Sequence, residues 1–519
     1  MTPAIKLDDG FASPLAKNGR FVLACGLLCV GTFVYTIGIV VYRLWFHPLS
    51  KYPGPFLNAV SEFPATIWVL QGRLPMETRK IHAKYGSVVR LSPNELAFNT
   101  VTAWQDIYGH RNGRQDLNKH PIHVGAVDPM PGVSTISMAD NTNHARQRKA
   151  LSHGFSKKAL WEQEGIIQEF VDKMMLRFHE FAQKGEAFDI VKWYNFITFD
   201  VIGDLSFGES FGCLERGDFH FWITLIFDAV KAGAIEQATR RLATAGTSTQ
   251  NFLMNLIPGD LRKRRADHLS YSREKVMRRL QDSKSDRKDF MYYILKQGEH
   301  YDLSQDEVIV NAALFIVAGS ETTASTLASL TNNLLRHPEV YSKLKAEIRE
   351  KFSTEEEIKL AAVNELPYLS ACIEEGLRIF PPAPIGFLRM IQDGGDTIDG
   401  QHIPGGTAVS VSSWCAHHSP DNFKDPDDFI PERWLKGAGY DNDNKLAHRP
   451  FSLGPRGCIG KDLSYVEMRL VLAKMIWNFD LVNADNAEAW NPEGDMKHLK
   501  AFSTWQKPEL QVYAEEVKR

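Results

Sequence analysis

The stretch of this 519-residue chain best equipped for chemistry is Phe451-Ser-Leu-Gly-Pro-Arg-Gly-Cys-Ile-Gly460. Three glycines spaced by pairs of residues permit a tight loop with positive-φ positions, and they leave bare backbone N–H groups around the sulfur of Cys458. The residues that follow have helical periodicity, which puts Cys458 at a helix N-terminus, where partial positive charge lowers a thiol pKa. A cysteine so placed is a metal ligand or a nucleophile. The alternative is a small buried hydrophobe, the usual fate of a free intracellular cysteine.

A second stretch, Ala318-Gly-Ser-Glu-Thr-Thr323, lies inside residues 308–335, an apolar run without proline whose one formal charge is Glu321. A helix apolar nearly all round either runs through the middle of a domain or crosses a membrane. Glu321 argues against lipid, because a carboxylate is costly to bury unless hydrated or paired. Gly319 weakens the helix at the same turn, and the Thr322 hydroxyl can bond a carbonyl one turn back and bend it. On these residues alone the run reads as a kinked core helix.

The pattern Phe-x-x-Gly-x-Arg-x-Cys-x-Gly fixes five positions and should arise by accident in such a chain on the order of once in ten thousand. It resembles the haem-binding loop of the cytochrome P450 family. That resemblance implies haem b as cofactor, Cys458 as the axial thiolate on its iron and Arg456 as a propionate partner. Ala318 to Thr323 is similar to the family's oxygen-activating helix. Glu321 and Thr322 are then the acid and alcohol that deliver protons to dioxygen, with space for dioxygen left by Gly319.

Other family-like positions follow in order. His144-Ala-Arg-Gln-Arg148 resembles the basic helix whose side chains reach a propionate. His144 stands where the family often has tryptophan, and Arg148 stands at the arginine. Arg389 resembles a further propionate partner. Glu375 and Arg378, at i and i+3 on one helix face, resemble with Arg433 a buried network that supports the fold. Ile385, Phe387 and the tail near residues 501–504 are expected to line the pocket, and residues 219–250 to form a helix pair over it.

The elements that must position these groups are read as follows. Residues 21–42 carry no charged side chain, enough to cross a bilayer as a helix. Pro48, Pro53 and Pro55 then stiffen the exit. Residues 87–98 read as a hairpin and 109–139 as a long loop, which in the family covers the substrate. Residues 397–407 have the turn residues of another hairpin. Lys157 and Lys158 are either a solvated face or a docking surface for an acidic electron donor. The basic runs 261–265 and 273–279 read as a solvated helix face, and 282–289 as a surface loop.

A net charge of −3 with interspersed signs gives no reason to expect nucleic acid. Six scattered cysteines without paired C-x-x-C spacing point to neither a zinc site nor a disulfide framework. Gly208-Glu-Ser210-Phe-Gly212 matches the nucleophile elbow of serine hydrolases, which makes Ser210 the nucleophile of a rival reading, although the strand that should precede it is missing.

The expected architecture is therefore mainly α with a minor β-sheet, the cytochrome P450 fold, with residues 1–46 as tail and membrane anchor and 47–519 as the haem-thiolate monooxygenase domain. The resemblance implies insertion of one oxygen atom from O2, as hydroxylation or epoxidation, into a small apolar molecule. No nucleotide-binding fingerprint is present, so electrons come from outside, by analogy from NADPH-cytochrome P450 reductase. It also implies a single-pass protein of the endoplasmic reticulum with a cytosolic catalytic domain. His144 to Arg148 and Asp200 to Asp204 resemble fungal microsomal members of secondary metabolism, of the isotrichodermin hydroxylase type, which act on polyketide or terpenoid intermediates. A non-oxygenating haem-thiolate enzyme or a haem sensor is the alternative within the family.

Overall fold

The computed structural model describes residues 14–518, apart from 112, 114, 124–129, 131, 245, 256–258, 282–286, 299–300, 485–489 and 491–498. The start of the tail and most of the polar segment 282–289 thus lie outside the described residues. Helix makes up 60% of the chain and strand 9%, which settles the class as mainly α.

The helix Gln305–Arg336 runs through the middle of the molecule. Its start is fixed by a capping box, in which Ser304 accepts from the Glu307 N–H and the Glu307 carboxylate accepts from the Ser304 N–H. Its most apolar window is 72% buried, which resolves the choice between core and membrane in favour of core. It packs most extensively on Ile190–Phe207, itself buried along almost its whole length. Gly319 sits at this crossing: a Cβ there would meet Ile202 Cδ1 at 2.8 Å, so the glycine is required by close helix packing as well as lining the site.

Of four small sheets among the described residues, the two largest flank the helices. In one, Val88–Ser92 pairs antiparallel with Glu95–Phe98, the expected hairpin; Glu95–Phe98 runs parallel to Ala408–Val411, which pairs with Arg389–Met390. In the other, Gln511–Glu516 lies between Phe188–Asp189 and Phe479–Asn483. The second expected hairpin pairs Asp396–Ile398 with Gln401–Ile403.

Ahead of these elements, Phe21–Phe46 is helical, has a mean hydropathy of 2.2 and is long and apolar enough to cross a membrane, with none of its most apolar window buried. The chain after it is packed down: Leu49 and Tyr52 are buried, Arg43 donates to the Val60 carbonyl at 2.5 Å, and buried Arg90 donates to the Arg43 carbonyl at 2.8 Å.

Two expectations change here, and the rival reading of Ser210 falls as its missing strand suggested. Phe221–Leu242 packs on Phe63–Gln71 and Gly259–Gln281, and none of its described side chains lines the Cys458 cavity. The basic run 273–279 is largely paired: Arg279 forms a buried ion pair with Asp289, and Lys275 and Arg278 reach Glu209. Those contacts also account for Gly208 to Gly212, where Ser210 Oγ accepts from the Gly212 N–H at 3.2 Å and the preceding element is the helix Ile190–Phe207. The segment anchors a helix; no strand-to-helix elbow presents Ser210 as a nucleophile.

The Glu375, Arg378 and Arg433 network forms as expected and includes Asp443. Arg378 holds both oxygens of Glu375 at 2.7 and 2.9 Å, Arg433 reaches Glu375 at 3.0 Å, and Trp434 donates to it at 2.9 Å. All three side chains are fully buried, and despite burial the two guanidinium groups hold the Glu375 carboxyl below the usual carboxylate range. Glu375→Ala should therefore cost about 3–5 kcal/mol, because it strands two buried cations; chemical denaturation that finds a loss below about 1 kcal/mol would contradict this account.

Candidate functional site

One cavity of about 310 Å³ gathers the sequence-expected residues. Cys458, Arg456, His144, Arg148, Arg389 and Thr322 all line it, and Leu314, Phe315, Ala318, Ala383 and Phe387 give it apolar walls. Ile385 is buried elsewhere, beside Arg241 and Ser410: a regular strand would put it on the same face as Phe387, two residues on, but the strand begins only at Arg389 and the segment before it is irregular.

The Cys458 loop takes its shape from one glycine above all. Gly454 has φ 71° and its Cα faces the chain of Tyr108, where a Cβ would lie 2.0 Å from the carbonyl oxygen. Gly457 and Gly460 have negative φ, contrary to the expectation that several glycines need the left-handed region. The Cys458 N–H donates to the Phe451 carbonyl at 2.9 Å, closing the loop, and the helix Lys461–Asn478 starts three residues after the cysteine. The sulfur opens on the cavity and is otherwise surrounded by protein. Burial pushes the free thiol up, outweighing the Gly460 N–H, Arg148 and Lys461, which favour the thiolate. The lowering expected from the helix terminus alone is thus reversed by desolvation.

Around the same cavity stand four cations. Arg148 donates to the Gly457 carbonyl at 2.7 Å, and Arg456 donates to the Ala139 carbonyl and to Asn141 Oδ1 at 2.7 and 3.1 Å. Arg389 is buried with Nε and Nη1 unpartnered, and Arg456 Nη1 is unpartnered too. Lys119, from the long loop, donates to Ser137 Oγ at 3.0 Å. Burial pushes all four pKa values down, and for Lys119 and Arg456 the neighbouring Arg389 adds to the effect. His144 is held down to about 3 by burial first and then by Arg456, so it is neutral at ordinary pH. Buried donors with nothing to donate to, on cations that repel one another, call for an anionic group.

Lys119 was not identifiable from sequence: it lies in a loop without periodicity, and only the fold brings it beside Arg389.

The central helix presents Thr322 to this cavity, with Oγ1 donating to the Ala318 carbonyl at 2.8 Å as the sequence suggested. Glu321 faces away. It lines a second cavity of about 290 Å³ with Lys507, Phe502 and Thr504, so the tail expected in the pocket wall belongs to this other chamber.

The family profile "Cytochrome P450" matches residues 53–508, most of the chain. The chain belongs to the cytochrome P450 family. Its relatives include the cytochrome P450 monooxygenase aba2 of Botryotinia fuckeliana (strain B05.10), 43% identical over 494 residues and 94% of each chain. ABA2 of Pyricularia oryzae is 41% identical over 503 residues, covering 95% of this chain and 96% of that one. The monooxygenase astA of Talaromyces wortmannii is 40% identical over 494 residues, 95% of this chain and 97% of its own. Members of the family bind haem b through a cysteine thiolate, and haem b is the cofactor here. The cavity fits it: a cysteine opens on an apolar chamber whose unpartnered cations suit two propionates.

Replacing both Lys119 and Arg389 with methionine should stabilise the haem-free chain, by removing unpaired buried charge, while weakening haem retention. Thermal unfolding with and without haem checks both signs; a double variant that loses stability in both states contradicts the assignment of these cations to an anionic ligand.

Proposed function

We propose that this protein is a membrane-anchored monooxygenase that inserts one oxygen atom from O2 into a small apolar molecule, a fungal secondary metabolite such as a polyketide or terpenoid intermediate. The observation that carries the reading is that Cys458 and Thr322 line one apolar cavity rimmed by buried cations. Residues 47–519 form the catalytic domain, and the helix before it is the anchor, in the endoplasmic reticulum with the domain on the cytosolic side.

Haem, when bound, supplies dioxygen activation and oxygen-atom transfer to carbon, the second atom leaving as water. Cys458 Sγ is its metal ligand, and Arg148, Arg389, Arg456 and Lys119 hold its propionates, with His144 as a neutral hydrogen-bonding neighbour. The N–H of Gly460 and the charge of Arg148 favour a thiolate on Cys458 against the desolvation that opposes it. Leu314, Phe315, Ala383 and Phe387 bind the apolar substrate and keep water from it. Thr322 Oγ1 passes protons into the cavity. Glu321, one residue back with Oε2 unpartnered, is the acid that supplies them. Electrons come from NADPH-cytochrome P450 reductase, an acidic partner for the exposed face at Lys149, Lys157 and Lys158.

Cys458→Ser is expected to abolish the absorption band of the reduced, carbon monoxide-bound protein, and wild-type absorbance in that variant contradicts the ligand assignment. Thr322→Ala is expected to release more hydrogen peroxide per NADPH consumed, because a lost proton-transfer group slows its step by about a hundredfold or more; an unchanged ratio removes Thr322 from the relay.

A further inference from the structure

Glu467, on the helix Lys461–Asn478 that follows the cysteine loop, is a buried acid without a counter-ion. It is 4% exposed, and its Oε2 has no partner. Among the described residues Thr323 is the one side chain that hydrogen-bonds the carboxyl, and no charged group acts on it. Burial pushes its pKa up to about 8, with only the Thr323 hydroxyl in opposition. A lone buried carboxylate is far costlier than a buried carboxylic acid, so Glu467 keeps its proton at neutral pH.

That proton decides what Thr323 does next. Thr323 Oγ1 donates to Ser464 Oγ at 3.2 Å, and a hydroxyl has one proton to give. With its proton on Ser464, Thr323 can meet the Glu467 carboxyl only as an acceptor, which requires a protonated acid. An ionised Glu467 would claim the Thr323 proton, and Ser464 would have to turn its own hydrogen back to Thr323. Both hydroxyl residues line the Cys458 cavity, Thr323 from the central helix and Ser464 from the helix after the cysteine. No protein acceptor takes the Ser464 hydrogen among the described residues, so with the acid neutral that hydrogen is left for the cavity. The Ser464 N–H donates to the Gly460 carbonyl at 2.9 Å, which ties Ser464 to the turn whose Gly460 N–H favours the thiolate.

We propose that Glu467 is a positioning residue that stays protonated and sets the direction of the Thr323 and Ser464 hydroxyls, so that Ser464 donates into the haem cavity from the helix behind the cysteine. Reduction of the iron by one electron adds negative charge to the group that fills this cavity, and an O–H dipole aimed at it favours the reduced form. An ionised Glu467 would withdraw the donor and add repulsion. The inference rests on the reading of the Cys458 cavity as the haem site and is independent of the relay assigned to Glu321 and Thr322.

The test uses the full, haem-loaded chain with Glu467→Gln, Thr323→Val, Ser464→Ala and the double variant of Thr323 and Ser464, each compared at equal haem content. The first readout is the infrared carboxylic C=O absorption at neutral pH, which should lose one component in Glu467→Gln. An unchanged absorption means that Glu467 is ionised, and overturns the proposal. The second readout is the midpoint potential of the iron, measured by spectroelectrochemistry without turnover. Ser464→Ala should lower the reduction equilibrium constant about two- to tenfold, as expected for one hydrogen bond. Thr323→Val should lower it too, and the double variant should fall no further than Ser464→Ala, because Thr323 acts through Ser464. Glu467→Gln, whose amide also donates to Thr323, should keep the wild-type potential, whereas removal of a nearby negative charge would raise it. An unchanged potential in Ser464→Ala, additive falls in the double variant or a raised potential in Glu467→Gln each overturn the assignment, whatever these variants do to stability. If instead Cys458→Ser keeps the wild-type carbon monoxide band, the haem-site reading itself has failed.

Discussion

Positive charge, buried, aimed inward and only partly offset by Asp116 and Asp140, is the constraint on which this structure turns. Arg148, Arg389, Arg456 and Lys119 come from a helix, a strand, the cysteine loop and a long irregular loop, and nothing but the fold brings them together. Their mutual repulsion in a low-dielectric wall is a cost that the folded chain alone does not recover. An anionic group that binds only the folded state offsets it, and couples haem occupancy to the stability of all four segments. The cysteine loop belongs to the same economy of charge, because its thiolate form is favoured chiefly by the Gly460 N–H and by Arg148.

The central helix divides the interior into two chambers of different character. On one side it offers Thr322, Ala318 and Leu314 to an apolar cavity; on the other it offers Glu321 to a chamber lined by several charged groups. Gly319 lets that helix approach Ile202 closely enough for the partition to be tight. The acid and the alcohol of the proposed relay are thus adjacent in sequence and separated in space, an arrangement in which proton transfer requires movement.

Much of this was legible in the chain because it depends on local pattern. The cysteine loop, the buried helix around Glu321, the Glu375 and Arg378 pair and both hairpins rest on spacing within a few residues, where turn chemistry and helical period are decisive. What escaped depends on distant segments meeting. Lys119 has no periodic context, and Lys507 meets Glu321 across 186 positions. Ile385 was assigned to the pocket beside Phe387, as residues two apart on a strand would be, yet the chain is irregular before Arg389 and turns Ile385 away. The direction of the Cys458 thiol shift was misjudged for a related reason: sequence reveals a helix terminus but not the burial that outweighs it. The basic run 273–279 looked solvated because its acidic partners, Glu209 and Asp289, lie on other elements.

The clamp between Arg90, Arg43 and Val60 gives the N-terminal helix a stiff mounting. In the proposed anchored protein these two hydrogen bonds tie the tilt of the helix to the heading of the cavity. The clamp also makes the choice of cut site matter for shortened versions. Removal of the chain up to residue 42 keeps the Arg43 carbonyl as an acceptor, whereas removal through Phe46 takes that acceptor, and part of the cover, from the buried Arg90.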